Sequence, residues 1–319
     1  MKLNQKFNNL ETFKIFSIWL TRLIVLLVVT GGVVRLTESG LGCADWPNCT
    51  KNSFIAPLKY HSLVEDGNRF IVSIVSVFIV LNFVWALILG YKFAKFTSGI
   101  ILGLLISQIF MGALVVYSHL YPPFVMLHFF LSILMIIAGV IQLHISSQMV
   151  NLQKTSRGKQ IALTTSAKHN LKLLSNTLIF LLLTVVIIGT AVSGSGPHSG
   201  SIGSKRLPIS YIKIAFVHIG SVTLLFFCLI ALLNYLNSLK FPKSVTKWGY
   251  FSIEIVITQA VIGLIQLLLH SPALVVGIHL FMACAVVSVV FEFVLLVKDH
   301  INSNHYIYDN KEAIGVNSD

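Results

Sequence analysis

The sequence predicts an all-α membrane protein, with eight transmembrane helices arranged as two tandem four-helix bundles related by an internal repeat. Three observations lead there: composition, the number and length of the apolar runs, and a self-similarity at a fixed offset. The 319 residues are 55% hydrophobic and only 11% charged, with a mean hydropathy of +0.85. Soluble domains are about half apolar and a quarter charged, so water is not the main solvent of this chain.

A helix needs about 20 mainly apolar residues to cross the hydrocarbon layer. Eight runs qualify, at 13–34, 69–91, 97–118, 122–145, 173–193, 211–235, 247–269 and 272–297. They are continuously apolar and do not alternate, which fits helices and not barrel strands. The first run is long, lacks a small-residue cleavage site and leads into seven more, so it reads as a retained span and not a secretory signal. The organisation expected is an N-terminal half (1–145), a cytoplasmic linker (146–172), a C-terminal half (173–297) and a cytoplasmic tail (298–319).

Fifteen of the 23 Lys and Arg fall on one side of this topology, seven on the other, and Arg22 lies inside the first span. The positive-inside rule then places both termini in the cytoplasm of a cell (inner) membrane protein. The net charge of +12 does not indicate nucleic acid, because the cations sit in short loops and tails beside helix ends and form no basic domain. Cys43 and Cys49 lie close together in the first outside loop, a compartment that permits a disulfide. Their spacing is neither that of covalent haem attachment nor part of a zinc set, and a loop-stapling disulfide is the favoured reading over a free redox pair. Cys228 and Cys284, inside spans, read as small core residues.

Sliding the chain by 151 residues lays 107–130 on 258–281 without a gap. Gln108 meets Gln259, Gly112 meets Gly263, His119 meets His270, and His128 meets His279. The paired glutamines and glycines read as packing devices between helices. A shift of 150 places Asn68, at the head of span two, on His218. The two halves thus offer four matched positions: Asn68, His128, His218 and His279.

Histidines within spans are site candidates, since ionisable groups in a bilayer are costly and face bundle interiors. His218 and His279 enter their spans from the outside to matched depth, one to two helical turns in, where they can face each other. Two neutral imidazoles on facing helices suit a six-coordinate haem iron, and bundle cores commonly house such cofactors. Of the two matched positions in the first half only His128 is an imidazole, since its expected partner position carries Asn68, so that half would bind haem asymmetrically. Glu65 lies three residues before Asn68, on the same helix face, and is the candidate catalytic carboxylate. The bland alternative pairs it with Arg69 at i+4. His61, His119, His198 and His270 are loop or turn residues with no assigned role. Arg69, Lys205 and Arg206, outside against the positive-inside trend, are candidates to neutralise haem propionates.

Several of these residues sit in segments that resemble the haem A synthase family. They are Thr30 to Cys49 (TGGVVRLTESGLGCADWPNC), Glu65 to Arg69 (EDGNR), Leu127-His128-Phe129, Gly194 to His198 (GSGPH), Val217-His218 and Gly277 to His279 (GIH). They occur in order between Trp19 and His279. The resemblance implies an eight-helix protein with haem b in its C-terminal half and haem O in its N-terminal half, where a methyl group is oxidised to the formyl group of haem A. By motif, His218 and His279 would ligate haem b, His128 would ligate the substrate haem, Glu65 would be catalytic, and Cys43 and Cys49 would form the disulfide. Many members carry a second histidine where Asn68 stands, and the actinobacterial branch shares the Glu-x-Gly-Asn-Arg form. With Asn68 as a weak ligand at best, the substrate iron would be five-coordinate or take water, His61 or another ligand.

The partners implied are the haem O substrate, a haem O synthase that delivers it, an electron donor of unknown identity and membrane lipid, while a homo-oligomer stays open. Two other functions compete. A b-type cytochrome acting purely as an electron carrier would more naturally keep both axial pairs, which Asn68 argues against. A transporter would carry midplane polar or broken-helix sites, whereas Arg22, Glu254 and Glu292 fall near inner helix ends.

Overall fold

Eight long helices account for nearly all of the described chain. The computed structural model describes residues 2–51, 53, 55–154 and 163–301. The middle of the expected linker and the tail beyond Ile301 lie outside the described residues. The helices are α1 (Lys2–Leu36), α2 (Tyr60–Leu89), α3 (Lys92–Tyr117), α4 (Pro122–Lys154), α5 (Thr165–Ser195), α6 (Tyr211–Ser238), α7 (Lys243–Leu268) and α8 (Ala273–Ile301). Each is long and apolar enough to cross a bilayer, so the chain is a multi-pass membrane protein.

Helices overrun the expected spans because hydrogen bonding, not hydropathy, decides where they end. Residues 146–154 contain neither Gly nor Pro, and α4 continues through them. α2 begins at Tyr60 and not near 69, which puts Glu65 and Asn68 inside its first turns. It ends at Gly90, whose φ of 80° lets its N–H reach the Ala86 carbonyl at 3.3 Å. That left-handed conformation comes freely only to glycine.

The repeat is visible in the turns. His119 and Leu120 join α3 to α4 with φ of 52° and 61°, and His270 and Ser271 join α7 to α8 with φ of 59° and 62°. In the first turn the His119 and Leu120 amides donate to the Val116 and Val115 carbonyls. In the second, the His270 and Ser271 amides donate to Leu267 and Gln266. Every residue of the second set lies 151 positions after its counterpart.

Helices α1 to α4 form one bundle, in which α1 and α3 both pack closely on α4. Helices α5 to α8 form the other, as two tight pairs, α5 with α6 and α7 with α8, joined more loosely to each other. The bundles meet where α8 crosses α4 and α1, and where α4 meets α5. One apolar core runs through both halves, from Leu20, Ile24 and Ile133 to Leu178, Leu229 and Phe293. Outward-facing side chains such as Phe96, Phe110, Phe180 and Phe227 are largely exposed, as lipid-facing surface must be.

One polar knot lies inside the first bundle. Gln142 on α4 accepts from Ser98 on α3 at 3.0 Å, exchanges amide hydrogen bonds with Asn82 on α2 at 2.9 and 3.2 Å, and donates to Ser17 on α1 at 2.9 Å. All four are buried. An unmet polar group in hydrocarbon costs several kcal/mol, so this cluster ties four helices into one rotational setting.

Candidate functional site

The second bundle places two imidazoles in one interior. His218 on α6 and His279 on α8 are half-buried and close enough to interact electrostatically. Each ring lies against a glycine of the preceding helix. A Cβ built on Gly263 of α7 would stand 2.9 Å from His279 Cε1, and one on Gly189 of α5 would stand 3.1 Å from His218 Cε1. The first is closer than real side chains come and the second is tighter than most, so the glycines are cut-outs that receive the rings. In the first bundle His128 on α4 faces Gly112 of α3 more loosely, with the corresponding distance 3.8 Å.

The paired glutamines hold the histidine-bearing turns. Gln108 Nε2 donates to the His128 carbonyl at 3.0 Å and Gln259 Nε2 to the His279 carbonyl at 2.9 Å. These bonds fix each histidine helix in rotation against its neighbour, which makes the glutamines packing devices, as the repeat suggested.

All three imidazoles lack what buried polar groups normally have. Nδ1 of His128, His218 and His279 is buried without a well-formed hydrogen bond, and the His218 ring lies near the Val185 backbone. Nε2 of each makes no hydrogen bond among the described residues. Buried polar atoms are paired in the great majority of cases, and exceptions call for a missing partner. Among the described residues no cluster of three or more His, Cys, Asp and Glu could enclose a metal ion. A haem needs no such cluster, since the porphyrin supplies four equatorial nitrogens and the protein only axial ligands. The donor set therefore fits haem.

Asn68 of α2 does not present a free oxygen. Its Oδ1 accepts from the Thr30 hydroxyl of α1 at 2.8 Å, and that hydroxyl also lies 3.0 Å from the Leu27 carbonyl. Three residues earlier, Glu65 is buried at 6% exposure. Its Oε2 accepts from the Cys43 amide at 2.8 Å and its Oε1 from Arg69 at 2.7 Å. The i+4 pairing with Arg69 thus exists, but in a buried setting.

Cys43 and Cys49 are joined by a disulfide. Their loop is moulded onto the start of α2. Ser62 donates to the Gly42 carbonyl at 2.6 Å, and a Cβ on Gly42 would collide with the His61 backbone. Arg69 donates to the carbonyls of Asp45, Pro47 and Asn48 at 3.0 to 3.3 Å. Arg69, expected as a propionate partner, has its terminal nitrogens engaged by this loop and Glu65. Lys205 and Arg206 remain exposed, with Arg206 donating to the Pro197 carbonyl at 2.8 Å. Of the other histidines, His61 contacts Ser39 through Nδ1 at 3.0 Å, and His119 and His270 are exposed.

Two joints between the halves were not anticipated from sequence. At the disulfide end, Arg35 of α1 donates to the carbonyls of His198 at 3.0 Å and Ser193 at 2.8 Å, and the Gly40 amide donates to the Gly200 carbonyl at 2.8 Å. His198 in turn contacts the Ser271 carbonyl at 2.9 Å. At the opposite end His144 of α4, 5% exposed, points Nδ1 at Glu292 at 2.9 Å and Nε2 at Asp299 at 3.0 Å, both on α8. The only sequence signal was polar residues at helix ends, which does not reveal partners about 150 positions away.

Fold and site together define a class: a multi-pass membrane protein of two tandem helical bundles, each presenting imidazole toward its interior in the manner of haem-binding bundles. Residues 14–198, more than half of the chain, match the cytochrome oxidase assembly protein family. The chain belongs to that family. Similar curated proteins include "Heme A synthase" of Oceanobacillus iheyensis, 30% identical over 113 residues that cover 32% of this chain and 34% of the relative. "Heme A synthase" of Geobacillus thermodenitrificans is 33% identical over 97 residues, 30% of each chain, and that of Geobacillus kaustophilus 31% identical over 125 residues, 38% of each. The chain thus spans about a third of the length of the curated relatives it matches. The family match takes in Cys43, Cys49, Glu65, Asn68 and His128 and ends before His218 and His279.

Proposed function

We propose that this protein is a haem A synthase of the cell membrane, oxidising a methyl group of haem O to a formyl group to make haem A for terminal cytochrome oxidase. The carrying observation is that both bundles hold half-buried imidazoles whose inner nitrogens make no well-formed hydrogen bond, set against glycines of the neighbouring helix, in a chain of the cytochrome oxidase assembly family. His218 and His279 are read as the axial ligands of haem b, and His128 as the protein ligand of the substrate haem. Lys205 and Arg206, exposed near the same end, are read as propionate partners. Haem O synthase as the source of the substrate and a separate electron donor complete the expected partners. Both termini face the cytoplasm in this reading, and the disulfide loop lies outside, in the compartment where such bonds persist.

Bound haem supplies the iron redox chemistry. The protein's part is positioning and local charge. Glu65 is held by an amide on one oxygen and a guanidinium on the other, so its carboxylate is fixed in direction. Set beside the His128 bundle, it would stabilise positive charge developing at the methyl carbon or take the proton lost there. The disulfide and Arg69 keep that loop in place, and the apolar helices keep water from the reacting carbon.

The test is to express the full chain in a membrane host that makes haem O but not haem A, then extract and identify the non-covalent haems by chromatography and mass. Haem A or its hydroxylated precursor is the expected result. Haems B and O alone, in a protein that retains both, would overturn the synthase reading in favour of a b-type electron carrier.

A further inference from the structure

The two bundles differ at the position opposite the α4 or α8 histidine, and the difference is concerted. The shift of 150 lays Asn68 on His218, and the residue packed against that position differs as well. In the second bundle a large ring at His218 lies on the bare backbone of Gly189. In the first, a shorter amide at Asn68 is hydrogen-bonded to the side chain of Thr30. Where one half has ring and cut-out, the other has amide and filler. An imidazole at position 68 would meet the Thr30 side chain, whereas His218 meets only the bare backbone of Gly189.

Asn68 shares the inward stripe of α2 with the buried Glu65, Val75, Ile79 and Asn82. With Oδ1 taken by Thr30, its remaining polar group is the Nδ2 amine, which makes no hydrogen bond among the described residues. An amide NH2 is a donor and not an iron ligand. His61, the nearest imidazole along α2, is exposed with Nδ1 engaged by Ser39.

We propose that Thr30 and Asn68 keep the iron position opposite His128 free of protein ligands, and that the Asn68 amide donates a hydrogen bond to a small exogenous ligand bound there. The inference rests on the reading of the first bundle as a haem site. It makes the first-bundle haem five-coordinate and open, while the second-bundle haem is closed by two imidazoles. Thr30 is a positioning residue that fixes the Asn68 amide through its oxygen.

The test uses the purified full-length protein loaded with haem in the host described above, reduced, with carbon monoxide as probe. Of the two haems, one is expected to bind carbon monoxide. H128A should remove that haem, and a haem content unchanged by H128A would overturn the first-bundle site itself. N68L should keep the carbon monoxide adduct, release it about two- to tenfold faster for want of one hydrogen bond, and raise the C–O stretching frequency. The double variant T30G/N68H, which copies the arrangement around His218, should turn the open haem low-spin and refractory to carbon monoxide. A wild-type first-bundle haem that is already six-coordinate and refuses the probe would overturn the open position while leaving the substrate site standing. An unchanged stretch and release rate in N68L would overturn the donor role.

Discussion

At the scale of single residues, three glycine contacts of graded tightness make the site testable without touching a histidine. Gly263 and Gly189 leave a Cβ 2.9 and 3.1 Å from their imidazoles, whereas Gly112 leaves 3.8 Å, an ordinary van der Waals distance. G263A should therefore force His279 aside, at a strain of about 1–3 kcal/mol, and the protein should lose its second-bundle haem on purification. G112A should keep both haems, and equal loss from the two variants in a pigment assay would refute the cradle. Glu65 offers a separate handle, because it anchors on the disulfide loop and not on any imidazole. E65A should abolish conversion of haem O while the second-bundle haem stays bound, and full haem A production by that variant would remove Glu65 from the reaction. Both cysteines and Glu65 stand out in the sequence as residue types, but the Cys43 amide as a partner of Glu65 does not, since a backbone donor carries no sequence signature.

At the scale of elements, the glutamine bonds and the His144 clamp show how helices are set in rotation. Gln108 and Gln259 each bind the backbone of a histidine-bearing turn, so Q259L should loosen the proposed axial pair without removing either imidazole, broadening the low-spin haem spectrum. The clamp between α4 and α8 is a ring with a carboxyl group at each nitrogen, so each contact needs one proton, carried by the ring or by the carboxyl group. H144A leaves Glu292 and Asp299 facing an emptied site and should cost about 1–3 kcal/mol, read as a lower unfolding temperature in detergent. Adding E292A to H144A should cost less than the sum of the two single changes, because the second removes a group the first orphaned. Additive effects would show that the three residues are not coupled.

At the scale of the whole molecule, the two bundles behave as one body because they are joined at both ends. The core is continuous, the His144 clamp closes one end, and Arg35, Gly40 and His198 close the other. Arg35 holds two carbonyls in one fork, a geometry lysine does not reproduce. R35K is therefore expected to resemble R35A, with faster hydrogen exchange around 193–200 and a loss of about 1.5–3 kcal/mol. A lysine variant with wild-type exchange would show that charge alone suffices there. If two haem sites must keep a constant separation, this joint is what maintains it, and R35A should lower turnover while each bundle still holds its haem.

The sequence by itself determined the solvent, the number of helices, the two-bundle repeat and the histidines in question. Each of these follows from short-range pattern: runs long enough to cross a bilayer, and residue types recurring at 151 positions. It also showed that Asn68 breaks the pairing. What only the tertiary structure decided is which groups meet. The rotation of each helix about its axis sets His279 on Gly263, Asn68 on Thr30, and His144 between Glu292 and Asp299. Apolar spans look alike on every face in hydropathy, so that rotation is fixed by a few polar contacts and small-residue cut-outs between distant parts of the chain, and these exist only once the helices have packed.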